Sequence, residues 1–195
     1  MITKLNYIKE RYPFRRIISD LLNVWDLENV HLLNYDLLNQ FYKIRNDERL
    51  ISCYDQFLKI IIQSLFNEKI MVQRFPNLKI HEPGKKSVDR YHTDNEYGHD
   101  VNELNIWIPL TNASGTNSIY IESEPGKKDY SPQEVNYGQF LIFPGSKLSH
   151  GNEVNTTLES RFSFDFRIID ESLYKGNLMT TDNGQEISYF KTLWI

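Results

Sequence analysis

Apolar residues recur along this chain at two different periods, and the change between them falls near residue 69. Before it, Phe14, Ile17, Ile18, Leu21, Leu22 and Trp25 form one stripe at helical spacing, which predicts a helix with Pro13 at its start. Leu37, Leu38, Phe41 and Ile44 predict a second helix with Asn34 as its N-cap. Tyr54, Phe57, Leu58, Ile61, Ile62 and Leu65 predict a third, with Ser52 as cap. Stripes of this kind bury one face against a core, and we assign them no other role. Beyond residue 69 the period shortens to that of strands. Candidate strands lie at 69–74, 78–82, 88–92, 103–111, 117–122, 139–143 and 161–169. Many short strands separated by turn residues predict a sandwich or barrel. The five residues Glu-Pro-Gly-Lys-Lys occur at both 82–86 and 124–128, with Pro and Gly suited to the centre of a type II turn. Their flanks differ, so this is repeated turn chemistry and not an internal repeat.

The segment 161–169 alternates without a break. Phe162, Phe164, Phe166 and Ile168 share one face, while Arg161, Ser163, Asp165 and Arg167 share the other. Turning a charged face into a dry core is prohibitively costly. That face is therefore either solvated or lines a wet pocket that holds an anion. Upstream, His92 and Asp94 are two residues apart, so on extended backbone both side chains leave the same face. His150 lies far enough along to come from another strand of the same sheet, just ahead of Arg161. Two imidazoles and one carboxylate on one side of a metal leave its other side open, as in the facial triad of non-haem Fe(II) oxygenases. With His150 in the preceding strand, the pocket reading of the charged face is the favoured one.

Composition narrows the rest. A chain of 195 residues suits one domain with a sizeable core. A net charge of −4 lacks the basic excess of a nucleic-acid or anionic-membrane surface, and most aromatic residues sit at core-periodic positions. The single cysteine, Cys53, rules out an internal disulfide framework and fits a reducing compartment such as the cytoplasm. It falls within an apolar helical pattern, which predicts burial rather than reactivity. The N-terminus has no apolar leader pattern, no apolar run is long enough to span a membrane, and no glycine-rich phosphate loop is present.

The segments His92-x-Asp94, Gly138-Gln139-Phe140-Leu141-Ile142-Phe143, His150-Gly151-Asn152 and Arg161-x-Ser163 together resemble the Fe(II)/2-oxoglutarate-dependent dioxygenases. More narrowly, 91–169 resembles the branch that includes phytanoyl-CoA hydroxylase and the streptomycin-biosynthesis oxygenase-like proteins. Asn105-Ile106-Trp107-Ile108-Pro109-Leu110 and Glu122-Ser123-Glu124-Pro125-Gly126 are similar to the latter group. The resemblance implies a mainly β fold, a double-stranded β-helix (a cupin-like jelly-roll of two facing sheets) backed by about three N-terminal helices. On this reading 1–195 is a single domain, with a helical support region at 1–68, a jelly-roll core at 69–170 and a tail at 171–195.

The same resemblance implies that His92, Asp94 and His150 bind Fe(II), with the open positions taking 2-oxoglutarate and then O₂. It matches Arg161 and Ser163 to the distal carboxylate of 2-oxoglutarate, for which a planar, permanently charged guanidinium is suited. Asn105 is a further cosubstrate candidate. Arg90, Tyr97, His99, Trp107 and Arg167 are substrate candidates, with pairing to Asp165 as the plainer role for Arg167. The implied reaction is hydroxylation of a small polar metabolite with release of succinate and CO₂, with neither a nucleic acid nor a membrane as partner. The apolar end, Tyr189, Phe190, Leu193, Trp194 and Ile195, is expected to dock on the core or across a homodimer interface.

Three other readings compete. A cupin-like isomerase or epimerase of a nucleotide sugar shares the jelly-roll, but has no need of the Arg161-x-Ser163 pair. A non-catalytic metabolite-binding jelly-roll has no need of an intact triad. A peptide hydroxylase of the JmjC kind fits less well with so short a chain and with the closer match elsewhere.

Overall fold

The computed structural model describes residues 1–33, 41, 43–176, 178–180 and 186–193. Asn34, Leu37 and Leu38 of the second predicted helix, and Trp194 and Ile195 of the tail, lie outside these. In chain order the strands are β1 (Thr3–Asn6), β2 (Ile70–Gln73), β3 (Asn77–His81), β4 (Leu104–Pro109), β5 (Tyr120–Ile121), β6 (Ser131–Pro132), β7 (Gln139–Phe143), β8 (His150–Gly151), β9 (Arg161–Asp170), β10 (Leu178–Thr180), β11 (Glu186–Ser188) and β12 (Phe190–Thr192). The helices α1 (Phe14–Leu22) and α2 (Glu48–Phe57) precede them, apart from β1.

An antiparallel seven-stranded sheet runs β1-β7-β4-β9-β2-β12, with β3 paired to the first half of β9. A smaller sheet, β6-β5-β8, lies against it. Trp107, Leu141 and Phe143 of the large sheet pack with Ile119, Ile121 and Leu148 between the two layers. The helices cover the other face. This is a jelly-roll with helices behind the larger sheet, as the strand pattern and the resemblance predict.

The inverted alternation of β9 decides which side is which. Phe162, Phe164 and Phe166 are fully buried and each meets a helix-side aromatic edge to face: Phe41 at 6.4 Å, Phe14 at 5.6 Å and Tyr54 at 5.2 Å between ring centres. The opposite row, Arg161, Ser163, Asp165 and Arg167, points between the sheets.

Several boundaries differ from the sequence reading. The α1 stripe stops at Leu22 because Asn23 turns left-handed (φ 52°) and returns its N–H to Asp20. Trp25 therefore falls outside the helix and is 98% exposed. Asp47, not Ser52, caps α2, accepting from the N–H groups of Arg49 and Leu50, so the helix begins earlier and Ser52 lies within it. Beyond Phe57 the coil widens into a π-helical turn over Leu58–Ile62, and Leu65 ends at the surface. Residues 88–91 form no strand, and the 117–122 strand shrinks to Tyr120–Ile121. Both Pro-Gly turns form as expected, with Gly84 and Gly126 at φ 73° and 80°. The tail docks on its own chain: β12 pairs with β2, and Phe190 and Leu193 are buried. Cys53 is buried too, which pushes its thiol pKa up to about 12. Among the described residues no helix is long and apolar enough to cross a membrane.

Candidate metal centre

Two strands that barely qualify as strands bring the histidines together. His92 and His150 form a lone antiparallel bridge, each donating its N–H to the other's carbonyl, at 3.0 and 2.9 Å. Their rings stand 4.7 Å apart. Gly151 allows this approach, because a Cβ there would come within 2.9 Å of the Tyr91 ring and 3.2 Å of its Cα. Thr93 is extended, so His92 and Asp94 do leave the same side, as their spacing predicts. Asp94 then opens a short 3₁₀ turn closed by a Thr93–Glu96 capping box, and its N–H donates to the Gly145 carbonyl at 2.9 Å.

The ring orientations are set from behind. His92 Nδ1 donates to the Arg90 carbonyl (3.1 Å) and His150 Nδ1 to the Leu148 carbonyl (3.0 Å). A carbonyl only accepts, so each Nδ1 carries a proton and Nε2 is the nitrogen turned toward the centre. Those two Nε2 atoms converge on Asp94 Oδ1, at 3.7 and 3.5 Å. One ligand atom from each residue lies within 4.8 Å of the others, close enough for one ion to reach all three. Burial lowers the pKa of His150, which keeps the imidazole neutral and available to a cation.

Asp94 Oδ2 is fully engaged elsewhere. It accepts from Asn105 Nδ2 at 2.7 Å and from Arg167 Nε at 2.9 Å, and Arg167 Nη2 stands 2.8 Å away in the same ion pair. Burial alone would raise the Asp94 pKa, but the Arg167 guanidinium and the Asn105 amide outweigh it and hold the carboxyl below its ordinary range. Arg167 is itself buried, yet Asp94 and Asp165 more than offset its desolvation and raise its pKa. Register explains the encounter: Asn105 and Arg167 sit opposite each other on β4 and β9.

About 600 Å³ of empty space, part of it open solvent, extends from this centre between the sheets. Arg161 forms its far wall. The guanidinium is 2% exposed, lies 5.3 Å over the Trp107 ring, and donates Nη1 to the Asn117 carbonyl at 3.1 Å. Its Nε has no partner among the described residues, and neither has the buried Ser163 Oγ two positions on. Burial pushes the guanidinium pKa down to about 10, so it stays charged at neutral pH. A buried cation with no counter-ion is costly until an anion arrives.

No protein-family model matches the chain. The streptomycin biosynthesis protein StrG of Streptomyces griseus is 28% identical over 184 residues, which cover 90% of this chain and 88% of that protein. Among solved structures, CytC3 with Fe(II) and alpha-ketoglutarate aligns with a TM-score of 0.57 at 15% identity, covering 93% of this chain and 78% of its own. EctD from S. alaskensis with bound Fe gives a TM-score of 0.53 at 15% identity, covering 88% and 73%. The non-heme monooxygenase ThoJ in its Ni complex gives 0.54 at 15% identity, covering 87% and 73%. The chain has the fold of the non-haem iron oxygenases.

Within that fold the remaining predicted residues separate into two groups. Trp107, Asn105 and Arg167 line the cavity. Arg90, Tyr97 and His99 are not among its lining residues. Arg90 pairs with Glu96 at the surface, exposed Tyr97 lies edge-on to the His92 ring, and His99 bonds Glu103 at 2.9 Å. The mouth uses residues that the sequence reading left aside: Asn77, Lys79, Ser87 and Val88. Asn77 and Lys79 were detectable, since they alternate with Leu78 and Ile80 along β3.

Proposed function

We propose that this protein is an Fe(II)- and 2-oxoglutarate-dependent oxygenase that hydroxylates a small polar metabolite. The observation that carries this reading is Arg161: a buried, charged guanidinium, lacking a carboxylate partner among the described residues, across a cavity from two imidazole nitrogens and one carboxylate oxygen. The donor set fits a ferrous ion with an open side, and the orphaned Arg161 Nε and Ser163 Oγ fit the distal carboxylate of 2-oxoglutarate. A nucleotide-sugar isomerase has no need of a buried site for the distal carboxylate of a dicarboxylic acid.

In this reading His92, Asp94 and His150 hold the metal, and Arg161 with Ser163 anchors the oxoacid against the Trp107 floor. Bound together, ferrous iron and 2-oxoglutarate supply an O₂-dependent oxidation in which the oxoacid leaves as succinate and CO₂ and the substrate gains a hydroxyl. The chain contributes position and dryness: the apolar contacts of Trp107, Phe143 and Ile119 exclude water from the inner wall, while Asn77, Lys79 and Asp165 offer polar partners to the substrate. The likeness to a streptomycin biosynthesis protein supports the same class.

Anaerobic titration with Fe(II) and then 2-oxoglutarate tests it. A weak visible charge-transfer band at one equivalent of each is expected, and it should vanish in His92→Ala. No band in the wild-type protein would overturn the assignment.

A further inference from the structure

The geometry points to Arg167 and Asn105 as positioning residues that make Asp94 a one-oxygen ligand. This rests on the metal site proposed above, but concerns what fixes it rather than what it binds. Two N–H donors, Asn105 Nδ2 and Arg167 Nε, converge on Oδ2 at 2.7 and 2.9 Å, and the guanidinium's Nη2 stands 2.8 Å from the same oxygen in an ion pair. A carboxylate oxygen so engaged has little left to offer a cation. Oδ1 is the oxygen that both histidine Nε2 atoms approach, so the carboxylate presents that one atom alone. Left free, a carboxylate rotates and can chelate through both oxygens, which would consume a position that the reaction needs open.

The clamp is itself braced. Gln73 Oε1 accepts the Arg167 backbone N–H at 3.1 Å, and Asp165 and Glu103 lie 3.7 and 3.9 Å from the guanidinium. Asn105 is pressed into place by Gly145, where a Cβ would come within 2.7 Å of the Asn105 Cγ. Neither clamp residue is free to serve as a substrate contact through the atoms that grip Asp94. Arg167 also neutralises the carboxylate.

Charge-preserving variants separate orientation from electrostatics. Arg167→Lys keeps the cation but loses the fork, and Asn105→Ala removes a neutral donor. Co(II) alone serves as the probe, read through its visible ligand-field bands, with a thermal melt of each metal-free variant beside it. Each variant should bind Co(II) at least tenfold more weakly than wild type, the range seen when outer partners of metal ligands are removed. The bands should also change shape as the carboxylate takes a second coordination position, which a merely structural loss would not cause. Should Arg167→Lys fail to fold, Asn105→Ala decides. Wild-type affinity and an unaltered spectrum in the folded variants would overturn the clamp while leaving the triad intact. No Co(II) binding by the wild type, or full binding by His92→Ala, would instead remove the metal site on which it rests.

Discussion

At the scale of single residues, the site works by sharing polar atoms unequally. Asp94 spends one oxygen on Arg167 and Asn105 and keeps the other; the histidines spend Nδ1 on carbonyls and keep Nε2. Arg161 is the exception, a buried donor left with spare capacity. Charge-assisted hydrogen bonds contribute about 1.5–3 kcal/mol each, so Arg161→Ala should weaken 2-oxoglutarate binding at least tenfold, as read by titration of the Fe(II)-loaded protein. Unchanged affinity would remove Arg161 from the cosubstrate site. These residues could be proposed from the sequence because each belongs to a type with restricted chemistry and they occur in a fixed order. The Arg167–Asp94 contact was not. It joins residues far apart in the chain, and Asp165 two positions away offered Arg167 a nearer partner that the fold uses only at 3.7 Å.

Elements were legible in proportion to the strength of their alternation. Residues 139–143 and 161–169 could be placed within a residue of β7 and β9, the first as a continuous run of large apolar side chains and the second as an unbroken alternation. Thr3–Asn6 has one apolar residue and becomes β1 only through pairing with β7, which no local signal announces. Periodicity also overran α1 to Trp25, because a stripe does not register the left-handed turn at Asn23 that ends it. The docking of β12 depends on a few contacts: Phe190 packs with Met71 and Ile169 and meets the rings of Tyr174 and Tyr189 edge to face. Truncating a buried Phe typically costs 3–5 kcal/mol. Phe190→Ala should therefore lower stability by about 3 kcal/mol or more in urea unfolding, and a loss below about 1 kcal/mol would mean that this strand is dispensable.

At the scale of the molecule, two buried histidines make folding sensitive to acid. Burial lowers the pKa of both His81 and His150 below the ordinary 6.5, helped at His81 by the neighbouring Arg161. The unfolded chain therefore takes up protons near pH 6.5 that the native state refuses, so stability is full above that pH and falls as pH drops through it. Asp94, with its lowered pKa, adds a loss in the same direction at more acidic pH. Urea midpoints of the metal-free protein should fall between pH 7 and pH 5; a rising midpoint would contradict the buried, neutral histidines.

The strand β3 pairs with β9 alone among the described residues, and together with Ser87 and Val88 it forms the cavity's rim without holding any of the three ligands. On the proposed reading, the metal-holding residues and this part of the lining belong to separate stretches of chain. Exchanging residues 77–79 and the loop around 87–88 would then be the route by which this scaffold is retargeted to new molecules while the three proposed ligands stay untouched.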